Sequence, residues 1–243
     1  MKPFLFLGTR AEDDVAESEY AAVLHCTGLE ERDVRRVRVE RGDLGEVDLD
    51  ALSGIVLGGG PFNSSDPEDA KSPVQKRAEA ELRSLAGRVL DADFPFFGAC
   101  YGVGVLGGLR GGVVDRTYGE AIGCVPITLT EDGARDPLFG EMPATFDALL
   151  GHKEAVRSLP DRAVLLASSA TCPVQAFRIG RNAYATQFHP ELDGPGLALR
   201  IETYRDHGYF EPHELDGLLA MARGSDVEHP PRLLARFVEL YAR

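Results

Sequence analysis

The stretch FPFFGACYGVGVLGG, Phe94–Gly108, decides the fold. Its opening, Phe94–Ala99, is a short apolar run bounded by proline and glycine, and it predicts a strand buried on both faces. The residues after Cys100 are apolar and glycine-rich and predict a helix. Strand and helix backbones nearly touch at such an elbow, which explains the small residues in Gly98-Ala99-Cys100-Tyr101-Gly102. A cysteine there stands proud of the sheet at a helix N-terminus, whose field favours the thiolate. The competing reading makes Cys100 a small buried hydrophobe and the glycines marks of tight packing.

Working outward, Lys2–Gly8, Val34–Val39 and Leu52–Leu57 read as strands, and Glu12–Cys26 and Gln75–Leu90 as helices. Val34–Val39 alternates valine with arginine, the pattern of a half-exposed or edge strand. Strands and helices alternating with short connections predict an α/β fold: an open, mostly parallel, flavodoxin-like sheet with helices on both faces. From Val113 the rhythm changes to short strands separated by turns, a mixed or antiparallel extension of that core. Beyond Pro195, helices are expected over Gly196–His207, Pro212–Arg223 and Pro231–Arg243. Residues 1–195 are expected to form the main domain, with 196–243 a helical extension packed on it. The stripe Leu233, Leu234, Phe237, Val238 and Tyr241 suits packing on the chain's own core; a homodimer contact is the alternative.

With 243 residues, 44% of them hydrophobic, the chain has enough material for one substantial core. A net charge of -13 argues against a nucleic-acid binder, whose footprint would be basic. No apolar run approaches a membrane span, and the N-terminus lacks a signal-peptide pattern. Cys26, Cys100, Cys124 and Cys172 are widely spaced, without CxxC, so neither a metal site nor a disulfide framework is indicated, and a cytoplasmic setting is expected.

Two further segments give Cys100 a chemistry. ATQFHPELD, Ala185–Asp193, places His189 just past a strand and Glu191 two residues on, which suits a general base and the carboxylate that orients it. The competing readings are a satisfied loop histidine and a solvated turn carboxylate. The run Gly58-Gly59-Gly60-Pro61 follows a neighbouring strand and suits an oxyanion loop, with the Tyr101 N–H as a second donor. A phosphate-cradling loop fits less well, since GGGPFNSSD has no lysine at the required spacing.

GGGP, GACYG and QFHPE, in this order and at these separations, resemble the class I glutamine amidotransferases, most closely the glutaminase domain of GMP synthase. The resemblance runs from about Phe4 to Asp193. It implies a triad of Cys100, His189 and Glu191, oxyanion donors at Gly60 and Tyr101, and no cofactor. LLGHKEAV resembles the family's Ser-His segment, with His152 at its histidine, and SSATCPVQAF the stretch lining the substrate's amino-acid end, at Ala170, Thr171 and Cys172. Gly59 and Pro61 belong to the oxyanion loop. The family elbow usually continues Cys-x-Gly-x-Gln, and here Gly104 replaces that substrate-holding glutamine. After Asp193, helices rather than an ATP-pyrophosphatase domain are expected.

The resemblance implies hydrolysis of the side-chain amide of L-glutamine through a cysteine thioester, with ammonia passing to a separate synthetase subunit. Gly104 and the missing synthetase domain favour an alternative, hydrolysis of another γ-glutamyl amide or peptide. A third reading is a non-catalytic binding protein on the same fold, for which a lost nucleophile would be the sign. Restoring the amide with Gly104→Gln is expected to strengthen glutamine use if Gly104 faces the amino-acid end.

Overall fold

A computed structural model describes residues 1–243. Its central sheet has nine strands in the order β2-β1-β3-β4-β11-β10-β9-β6-β7. The parallel half comprises β1 (Phe4–Gly8), β2 (Val34–Arg38), β3 (Gly54–Leu57), β4 (Phe96–Ala99) and β11 (Ala183–Thr186). The antiparallel half comprises β6 (Glu120–Leu129), β7 (Thr145–His152), β9 (Ala163–Ser168) and β10 (Ala176–Ile179). The arginine-alternating strand β2 is at the sheet edge, as its pattern predicts. Two short strands, β5 (Val113–Asp115) and β8 (Ala155–Ser158), pair in a separate ribbon rather than extending the main sheet.

Continuous apolar runs build the parallel half because successive side chains enter different cores. Leu5, Leu7, Ile55, Leu57 and Phe96 join the cluster under α2 (Pro73–Ala92). Phe4, Phe6, Val56, Phe97 and Tyr184 join the opposite one, covered by α1 (Asp13–Thr27) and α7 (Pro231–Tyr241). Each long helix carries its own stop signal: α1 ends on Gly28 and α2 on Asp93, both left-handed, and α2 starts from Ser72, whose hydroxyl accepts the Gln75 N–H.

The α7 stripe packs on the chain's own core, where the Phe237 ring meets those of Phe4 and Phe97 at centroid distances of 6.1 and 5.8 Å. The other C-terminal helices are α5 (Gly194–Thr203), which ends before the expected His207, and α6 (Leu215–Gly224). A short helix, α4 (Glu131–Arg135), capped by the Thr130 hydroxyl, escapes the sequence pattern because it is a single polar turn. No helix is long and apolar enough to cross a membrane.

Candidate active site

In a parallel sheet, the loops leaving neighbouring strands gather at one edge. β1, β3, β4 and β11 are adjacent, so Thr9–Arg10, Gly58–Gly60, Cys100 and Gln187–Glu191 converge there. β4 leads into Cys100, and α3 (Tyr101–Gly107) begins at the next residue. Cys100 has φ 50° and ψ -86°, a conformation that non-glycine residues rarely adopt. Such a backbone costs on the order of 1–3 kcal/mol and persists only where its surroundings impose it. Here the Cys100 N–H donates to the Thr186 carbonyl at 2.7 Å, and a Cβ on Gly98 would stand 2.8 Å from the Gly102 Cα. The glycine spacing thus reflects contact between strand and helix.

Cys100, His189 and Gly60 line one cavity with Arg10 and apolar side chains that include Leu150, Leu197 and Ile201. His189 Nδ1 lies 2.9 Å from Glu191 Oε1, and both residues are buried. A carboxylate can only accept, so we assign the Nδ1 proton to this bond, which leaves the Nε2 lone pair free. Arg200 Nη2 donates to the same Glu191 oxygen at 2.8 Å. Its Nη1 lies 3.0 Å from Nδ1, but a guanidinium cannot donate to a nitrogen that is itself donating. Gly59 packs so closely on His189 that a Cβ would collide with the ring Cε1.

The charges continue behind this pair. Arg200 also reaches Glu19 Oε1 at 3.4 Å, and Arg10 Nε donates to that oxygen at 2.9 Å. Arg10 Nη1 donates to the Tyr204 hydroxyl at 3.3 Å, which donates onward to Glu12 at 2.9 Å. Two buried guanidiniums therefore offset two buried carboxylates, as buried charges require.

Burial pushes the Cys100 thiol up to about 12, and nearby Arg10 and Arg200 offset only part of that cost. This burial opposes the thiolate stabilisation expected at the helix N-terminus. α3 spans only seven residues, and its field does not replace lost water around a charged sulfur. Burial likewise lowers His189 below its ordinary value of 6.5, against the attraction of Glu191. Glu191 is held far below the usual carboxylate range: burial opposes ionisation, but His189 and Arg200 outweigh it.

The remaining candidates fall in separate places. His152, Thr171 and Cys172 surround Glu120. Glu120 accepts from His152 Nε2 at 2.8 Å, from Ser169 at 3.1 Å, and from Thr171 and Gln175. Burial raises the Glu120 pKa, and these donors more than reverse it. Ala170 is exposed, and neither it nor Pro61 lines the Cys100 cavity. Gly104 and Tyr101 border a different small cavity with Ser64 and Glu79. The space before Gly104 is occupied: a Cβ would collide with Ser64 Oγ and lie 2.7 Å from Glu154 Oε1. Glu154 is itself fixed by the N–H groups of Ser64 and Ser65, at 2.9 and 2.7 Å.

Gly104→Gln is therefore expected to displace Glu154 and the Ser64–Ser65 loop, with a loss of about 1–3 kcal/mol from overpacking. Urea denaturation of the purified variant measures this; unchanged stability would mean that the loop yields freely.

Two sets of side chains bring metal-ligand atom types within 4.8 Å of one another: Glu120, His152 and Cys172, and Glu19, His189 and Glu191. In the first, hydrogen-bond donors already engage both Glu120 oxygens. In the second, a cation would face the guanidiniums of Arg10 and Arg200. Arg10, Glu19, Arg200 and Glu154 are the site residues that sequence reading missed. Arg10 carried one usable signal, its place just after the first parallel strand, and Arg200 another, its place within the apolar run Leu197–Ile201.

The sequence profile described as glutamine amidotransferase class-I matches residues 14–195. The chain is 30% identical over 157 residues to one subunit of the glutamine-hydrolysing GMP synthase of Thermoplasma acidophilum, covering 64% of this chain and 72% of that protein. It is 32% identical over 154 residues to gamma-glutamyl peptidase 3 of Arabidopsis thaliana, covering 61% and 58%. It spans 26% of the length of longer GMP synthases that it also matches. The crystal structure of a glutamine amidotransferase from Thermotoga maritima superposes with a TM-score of 0.71 at 23% identity, covering 98% of this chain and 99% of that one.

Proposed function

Because the chain belongs to the class I glutamine amidotransferase family, we propose that it hydrolyses the side-chain amide of L-glutamine through a thioester on Cys100. The observation that carries this reading is the shared cavity of Cys100 and His189, with Glu191 on the far ring nitrogen. His189 Nε2 takes the thiol proton as sulfur adds to the amide carbon. The resulting oxyanion takes the N–H groups of Gly60 and Tyr101, neither of which has an acceptor in the protein. His189 then delivers the proton to nitrogen, the C–N bond breaks, and ammonia leaves. Water, activated by the same imidazole, frees glutamate and restores the thiol.

Ammonia would pass to a separate synthetase, the arrangement suggested by likeness to one subunit of a GMP synthase. A second reading, hydrolysis of a γ-glutamyl amide larger than glutamine, is favoured by two observations. Glu154 and Ser64 fill the place of the family glutamine. The cavity of Cys100 and His189 extends to side chains of helix α5 and to Tyr209. The reading is tested by measuring glutamate release from L-glutamine beside γ-glutamyl amides; release from none of them would overturn it.

The pH dependence follows from the histidine. His189 must be neutral to accept the thiol proton, and burial lowers its pKa, so the neutral form survives to more acidic pH. The acid limb of kcat/KM is expected below 6.5, the ordinary histidine value. A pH–rate profile of the free enzyme checks this, and an acid limb above that value would contradict the assignment of His189 as base.

A further inference from the structure

Arg10 has one nitrogen that the charge network leaves free. Nε is engaged by Glu19 and Nη1 by Tyr204, so the guanidinium is fixed on two sides. Nη2 has no acceptor within the protein, although Arg10 is 4% exposed and lines the cavity with Cys100. It lies 3.2 Å from the position a Gly59 Cβ would take, and His189 Nε2 approaches that same point to 3.2 Å. A preorganised N–H donor with positive charge thus lies within about 6 Å of the nitrogen that hands a proton to the departing amine.

Ammonia makes no use of such a donor. The other cavity walls, Ile122, Leu150, Leu197, Ile201 and Tyr209, are apolar or aromatic, which suits carbon rather than a second cation. A departing amine that carries an ammonium or polyamine tail would meet Arg10 and Arg200 with like charge. One that carries a carboxylate beside an apolar side chain would meet a guanidinium and apolar walls. Away from Arg10 and Arg200 the lining is apolar, so the side chain must be apolar.

We propose that the leaving group is an apolar α-amino acid, its carboxylate taken by Arg10 Nη2, so that the substrate is a γ-glutamyl dipeptide. This rests on the second reading above. Cys100 sulfur bonds the γ-carbon, and the γ-carbon–nitrogen bond breaks. The thiol proton reaches the amino acid's nitrogen through His189, and one water converts the thioester to glutamate. The products are glutamate and the free amino acid, with no other reactant.

The test compares γ-glutamylalanine, γ-glutamylalaninamide and γ-glutamylethylamide, beside L-glutamine, as substrates of the whole protein. A charge-assisted hydrogen bond to the carboxylate is expected to favour γ-glutamylalanine over its amide about tenfold in kcat/KM. Arg10→Lys keeps the charge but lacks the free planar donor, and is expected to bring that ratio close to one. The ratio isolates carboxylate recognition from any general damage to His189, which would slow all three substrates together. A wild-type ratio near one, or a tenfold ratio retained by Arg10→Lys, would overturn the proposal. Turnover of L-glutamine without any of γ-glutamylalanine would also overturn it, leaving the amidase reading in place. Silence on every substrate would remove both.

Discussion

Arg200→Met is expected to lower stability by about 3 kcal/mol, the low end of what breaking a buried ion pair costs. Arg200 donates to Glu191 at 2.8 Å and approaches Glu19 at 3.4 Å, with both carboxylates almost fully buried. Methionine preserves much of the side-chain volume, so packing loss is small and the main effect is electrostatic. The low end applies because neither carboxylate is left bare: Glu19 keeps Arg10, and Glu191 keeps His189. For a chain of this length the shift corresponds to a Tm lower by roughly 6–12 °C. Thermal unfolding measures it. A Tm unchanged within a degree or so would mean that the guanidinium contributes nothing net to the fold, and the account of the charge network would be wrong.

Cys100→Gly is expected to separate stability from activity in opposite directions. The native residue sits at φ 50°, a region open to glycine and costly for any residue with a Cβ. Relief of that strain is on the order of 1–3 kcal/mol, and the greater freedom of glycine in the unfolded chain takes back about 0.5–1. The variant should be more stable by about 1 kcal/mol in urea denaturation. Its amide hydrolysis should fall by at least about a thousandfold, because the nucleophile is gone. A destabilised Cys100→Gly protein would show that the elbow is not strained as described.

Much of this site was legible because it is written in local chain geometry. Gly98 and Gly102 announce a close approach, and the structure puts a Cβ at Gly98 within 2.8 Å of the Gly102 Cα. His189 and Glu191 lie two residues apart, so their hydrogen bond is a short-range feature. The parallel core was legible for a related reason: Phe4–Gly8 and Phe96–Ala99 are apolar without alternation, as strands covered on both faces must be.

What escaped the sequence is carried by long-range pairs. Arg10 and Tyr204 are far apart in the chain, and the place of Arg10 after the first strand does not reveal that its guanidinium meets the Tyr204 hydroxyl. Gly104 reads as a missing amide, and only packing reveals that Ser64 and Glu154 have taken its space. The burial that opposes the Cys100 thiolate is likewise invisible in the local sequence. An elbow cysteine reads as activated, whereas its pKa also depends on the burial that distant segments impose on the residue. The separate ribbon of β5 and β8 depends on pairing that alternation alone does not specify.

The most direct measurement is glutamate release by the wild-type protein and by Cys100→Ala, each given L-glutamine and a set of γ-glutamyl amides and dipeptides. The account predicts release by the wild type from at least one of these substrates, and none by a Cys100→Ala protein that unfolds as cooperatively as the wild type. Glutamate release that persists in a folded Cys100→Ala protein would contradict the thioester mechanism.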